Sequence, residues 1–158
     1  MTASLDIKIN DKLVKELART LIGTSSINLK VGFFGGKKEE QKEGKKNSPT
    51  IAAIARANEF GVPERNIPAR PFMQQNLEAH GFYKRHLAIR LGRVIRGQRS
   101  LEGQLHALGE TMASDVRKTI TEGNFAANAP STIARKDSDR PLIDLGDMRK
   151  NVSYRIDS

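Results

Sequence analysis

Catalysis needs carboxylates, histidines or nucleophiles at useful spacing, and here the candidates are few. Asp137, Asp139, Asp144 and Asp147 fall close together, near enough for a magnesium site or a proton-transfer pair to be considered. Two of them have simpler roles. Asp144 fits a helix cap, and Asp147 follows three residues later in the capping-box position. Asp137 and Asp139 stand among basic residues, where solvated pairing is expected rather than a metal. His80, His86 and His106 are the only histidines. His80 and His86 would lie on different faces of a helix, and all three read as surface histidines. There is no His-Glu-x-x-His, no Gly-x-Ser-x-Gly and no Gly-rich loop followed by Lys-Ser/Thr. Gly32-Phe33-Phe34-Gly35-Gly36 follows a strand pattern but opens onto a charged loop, the wrong context for holding phosphate. Cysteine is absent, which excludes disulfides and thiolate metal sites. No catalytic residue, cofactor or metal is expected, and the chain does not read as an enzyme.

Charge is the stronger signal. The formal net charge is +9 over 158 residues. Lys84, Arg85, Arg90, Arg93, Arg96 and Arg99 form its densest basic patch. Such a balance favours an acidic partner: nucleic acid, an anionic surface or an acidic protein. Aromatic residues are only 5%, and no groove-reading or base-stacking motif is present. No apolar run is long enough to span a membrane, and Met1 to Lys12 lacks a signal-peptide core. A soluble protein used in a cytoplasm is the expectation, with a single domain and a modest core.

The elements that must position these residues follow from periodicity. Leu13, Val14, Leu17, Ala18 and Leu21 recur at helical spacing, with Asn10 or Asp11 as cap and Gly23 as stop. Ile27, Leu29, Val31 and Phe33 alternate with Asn28, Lys30, Gly32 and Phe34, which predicts a half-buried strand over 27–34. Residues 37–47 contain no apolar side chain and read as a mobile charged loop. Met73 to Arg96 reads as a long helix weakened at Gly81 and Gly92, with room for a bend or break near Gly81. After a turn capped by Ser100, Leu101, Leu105, Leu108, Met112, Val116 and Ile120 predict a helix over 101–122, antiparallel to the previous one. Residues 124–143 lack a pattern and read as an extended arm lying on a surface such as a neighbouring subunit's, with one helical turn near Ser131 to Lys136. A helix from Leu145 to about Asn151, capped by Asp144 and stapled by Ile143 and Met148, then leads into a terminal strand, Val152, Tyr154 and Ile156, paired with 27–34. The predicted class is α+β: a small antiparallel sheet packed with three or four helices.

The chain is organised around residues 50–72. Ser48 as cap and Pro49 at the first position start a helix that places Ile51, Ile54, Ala55 and Asn58 on one face. Gly61 ends it, and a Pro-rich extended segment runs to Phe72. Glu59 lies in the last turn, where the macrodipole disfavours an anion, so pairing with Arg65 or Arg70 is expected to hold the loop.

Three blocks carry a resemblance: Ala57-Asn58-Glu59-Phe60-Gly61; Ile67-Pro68-Ala69-Arg70-Pro71-Phe72; and Pro141 to Gly146 with Met148 to Tyr154. In order and spacing they resemble neck or tail-completion proteins of tailed bacteriophages, also called minor tail components, over roughly residues 50 to 156. The family pattern has threonine where Leu145 stands, and residues 37–47 look like an insertion. The resemblance implies a non-enzymatic virion protein that completes the tail and joins it to the head. It implies a ring of identical subunits, expected to be hexameric, touching other neck and tail proteins and the end of the packaged DNA. It places the protein in the virion, and in the host cytoplasm during assembly. Asn58, Glu59, Phe60, Gly61, Pro68, Arg70, Pro71, Phe72, Asp144, Gly146, Met148 and Arg149 are then the expected interface residues. The main alternative is a small basic protein that binds nucleic acid without sequence preference.

Overall fold

A computed structural model describes residues 27–35, 49–78, 80–136, 139–144 and 146–157. The predicted helix near 13–21, the loop 37–47, the Ser48 cap and Asp137 lie outside these. In chain order the elements are β1 (Asn28–Phe33), α1 (Ile51–Phe60), a single 3-10 turn (Pro63–Arg65), α2 (Phe72–Glu78), α3 (His80–Ile95), α4 (Leu101–Glu122), α5 (Pro130–Lys136), α6 (Asp147–Asn151) and β2 (Val152–Asp157). The class is α+β, as the periodicity predicted.

The sheet has two antiparallel strands, in register from Asn28 opposite Asp157 to Phe33 opposite Val152. At its open end Lys30 Nζ meets Asp157 Oδ2 at 2.7 Å, and this bond holds the Asp157 carboxyl below its usual range. Val31, Phe33 and Tyr154 pack on the core, and Phe33 meets the fully buried Phe72 edge-on, with centroids 6.1 Å apart.

Helix α4 is the spine. Ser100 Oγ caps it by accepting from the Gly103 N–H at 3.2 Å. The turn before it ends α3 in a Schellman motif. Gly97 takes φ 67°, its N–H donates to Val94 O at 2.9 Å, and Gln98 N–H donates to Arg93 O at 2.9 Å. Helices α2 and α3 then run antiparallel to α4. Asn76 Nδ2 donates to Thr119 Oγ1 at 3.0 Å, and Tyr83 Oη donates to Asp115 Oδ2 at 2.8 Å. The predicted helix 73–96 is described on either side of residue 79, as α2 and α3; residue 79 itself lies outside the described residues.

The buried face of α4 differs from the predicted stripe. Gln104, Leu108, Gly109, Ala113, Val116 and Ile120 are buried, whereas Leu101, Leu105 and Met112 are only half-buried. Small residues let the sheet approach. A Cβ on Gly109 would fall 2.3 Å from Cδ2 of the Tyr154 ring. A hydropathy stripe counts large side chains and cannot register this.

Two helix starts are also corrected. Thr50 caps α1: its Oγ1 accepts from Ala53 N–H at 3.2 Å, which leaves Pro49 outside the helix. Helix α6 starts at Asp147 behind Gly146, which takes φ 79° and offers no side-chain cap. Asp144 is exposed and does not cap, and the staple positions shift off Ile143 and Met148. Arg149 and Lys150 do occupy the last turn.

Candidate functional site

The Pro-rich segment is folded more tightly than an extended chain. Val62 and Ile67 exchange backbone hydrogen bonds at 2.8 and 3.1 Å, around a 3-10 turn with Asn66 left-handed at φ 53°. Gly61, at φ 73°, lets this loop touch the end of α1, since a Cβ there would stand 2.8 Å from Ala69 N. The chain then passes Arg70, whose N–H donates to Asn58 O at 2.6 Å, and enters α2 at Phe72.

The expected Glu59–arginine pair does not form. Pro71 precedes α2 and has no side-chain oxygen with which to cap it. Glu59 supplies the cap from the end of α1: Oε2 accepts from Met73 N–H at 2.8 Å and Oε1 from Gln74 N–H at 2.9 Å. The anion disfavoured at one helix's C-terminus is favoured at the next helix's N-terminus.

Arg70 is 4% exposed and turns to neutral acceptors instead. Nε donates to Ala126 O at 2.8 Å, Nη1 to Asn58 Oδ1 at 3.0 Å, and Nη2 to Ala127 O at 3.1 Å and Asn128 Oδ1 at 3.2 Å. No carboxylate pairs with it among the described residues, and burial lowers its pKa. Asn58 is itself held by donating to Ile54 O at 2.9 Å, and Asn128 by donating to Arg140 O at 3.3 Å. Arg70 therefore ties α1 to residues 126–128, and the stretch read as an outlying arm is drawn onto its own chain. Leu142, 5% exposed, enters the core with Met148. Helix α5 begins with Pro130 and runs two turns rather than one.

These pieces enclose a cleft of about 570 Å³ between α1, the 65–70 loop, α5 and the segment from Pro141 to Met148. It brings together Asn58, Pro68, Arg70, Asp144 and Met148 of the expected residues. Phe72 and Glu59 are structural supports beneath the loop. Phe60, 74% exposed, and the exposed Arg149 contribute no lining to the cleft. The basic residues Arg85, Arg93, Arg96 and Arg99 are exposed on α3 and its turn, away from the lining; Arg90 is half-buried with Nε unpartnered.

Arg135, Lys136, Asn128 and Asp147 line the cleft and were not singled out as site residues by sequence. Pro130 was the available signal for Arg135 and Lys136, because proline at a first helical position announces α5. Asn128 carries no local signal; only the fold brings it to Arg70. Among the described residues no cluster of three or more His, Asp or Glu side chains could hold a metal, and no helix is long and apolar enough to cross a membrane. No protein-family model, curated protein or solved structure matches this chain.

Proposed function

We propose that the protein is a structural component of a tailed-bacteriophage virion, a neck or tail-completion subunit that helps join head to tail through ring-like contacts with copies of itself and with neighbouring neck and tail proteins. In this reading it performs no catalysis. The supporting observation is spatial. The three blocks that carry the resemblance, far apart in sequence, supply Asn58, Arg70 and Met148 to one cleft, where Arg70 donates to Asn58. A preorganised surface of this kind suits an assembly subunit, because little freedom remains to be lost on docking. The test is deletion of its gene from the encoding phage. Heads and tails should accumulate unjoined, and joined infectious particles would refute the reading.

A second reading, a nucleic-acid-binding protein without sequence preference, is favoured by one feature. No carboxylate occurs between Glu78 and Glu102, while Lys84 and five arginines do. Backbone binding should then weaken linearly in log affinity with log salt, which a gel-shift titration of the purified protein measures.

A further inference from the structure

We propose that the cleft is a receptor for an extended peptide segment of another protein chain, one in which carboxylates alternate with apolar side chains. The inference rests on the assembly reading and names the chemistry of the partner.

Charge supplies the first argument. Arg70 lines the cleft as a buried cation balanced by carbonyl and amide dipoles rather than by an anion. Four of its five N–H groups are committed, and the fifth, on Nη1, has no acceptor among the described residues. Arg65 and Arg135 also line the cleft, are exposed, and make no ion pair among the described residues. Two carboxylates oppose them. Asp147 is buried and reaches Lys150 at 3.8 Å, which leaves exposed Asp144 as the main repulsive group. Among the described lining residues, the cations Arg65, Arg70 and Arg135 outnumber the carboxylates Asp144 and Asp147.

The walls supply the second argument. Ile54, Ile67, Leu142 and Met148 give apolar contact, and Pro49, Pro68 and Pro141 stiffen three sides. No aromatic ring lines the cleft among the described residues, so a nucleobase would find no stacking platform there. A volume of about 570 Å³ accommodates a few residues of extended chain rather than a folded domain. Mixed apolar walls and surplus positive charge match alternating acidic and apolar side chains.

The test is fluorescence anisotropy on the purified full chain, with a labelled peptide alternating aspartate and leucine, its asparagine counterpart, and a single-stranded oligonucleotide. The acidic peptide should bind saturably and in preference to the other two. Reversal at Arg65→Glu with Arg135→Glu should weaken it about tenfold or more, and Asp144→Ala should strengthen it. Both positions are exposed, and circular dichroism checks that the variants fold. Equal binding of the asparagine peptide overturns the proposal. So does acidic-peptide binding that the double reversal leaves unchanged, or an oligonucleotide that outcompetes the peptide at Arg65 and Arg135. The readout needs no particle, so an unjoined-particle phenotype with no peptide binding sinks this inference alone. Normal joining on gene deletion, with binding intact, sinks the assembly reading alone.

Discussion

The Glu59 carboxylate and the Met73 backbone N–H lie 2.8 Å apart, so the last turn of α1 caps the first turn of α2. The contact spans the tight loop between them and fixes the angle at which the chain reaches Phe72. Glu59→Ala leaves two helix-end N–H groups without their acceptor and should cost about 2 kcal/mol in urea unfolding. Glu59→Gln, which keeps one acceptor oxygen, should cost about half as much. Equal stability of all three proteins would show that the cap contributes nothing.

Arg70 should tolerate no substitute. Lysine reaches at most part of the set Asn58, Ala126, Ala127 and Asn128, so Arg70→Lys should lose about 3 kcal/mol by denaturant midpoint. The exchanged pair Glu59→Arg with Arg70→Glu should be no more stable than the worse single variant, because the two side chains serve different partners. Mutual rescue would contradict the described geometry.

Two helical glycines should respond with opposite sign. Gly81 has nothing within 4 Å of a built Cβ, so Gly81→Ala should stabilise by about 0.5–1 kcal/mol through helix propensity. Gly109 lies under the Tyr154 ring, so Gly109→Ala should destabilise by about 2 kcal/mol by thermal or urea unfolding. Adding Tyr154→Ala should remove the penalty for alanine at 109, a non-additivity that a double-mutant cycle reads directly.

Alkaline pH should probe the α3–α4 contact. Burial first, then the hydrogen bond to Asp115 and its charge, raise the Tyr83 pKa above the ordinary 10.0. The folded state therefore holds this proton more tightly than the unfolded chain. The resulting stability is fully present below pH 10.0 and declines as pH rises above it. Tyr83→Phe should be less steeply destabilised over that range, and parallel pH profiles would exclude the effect.

Local patterns made much of the architecture legible. The bounds of α4, its Ser100 cap, the stop at Gly61 and the pairing of β1 with β2 follow from hydropathy period and turn chemistry. The misreadings share a cause: each depended on a partner remote in the chain. Glu59 looked misplaced at a helix C-terminus because the α2 N-terminus it serves lies beyond a loop. Charge alone makes Arg70 a partner for Glu59, although its acceptors are the Asn58 amide and the carbonyls and amide of residues 126–128. On the α4 core face Leu108, Val116 and Ile120 are buried as the stripe predicts, while Gly109 and Ala113 mark where another element comes close, which apolar size does not express. Within the cleft, Asn58 and Arg70 stood out in sequence, while Asn128 required the fold.

Among the described residues strand β1 has one hydrogen-bonded neighbour, β2, at the far end of the chain. During synthesis, Asn28 to Phe33 therefore leaves the ribosome long before its mate is made. Every helix between them can form first, yet the seam that closes the molecule waits for Val152 to Asp157. A strand that waits for so distant a partner is exposed to aggregation, so dilution or cooler growth should raise the soluble yield.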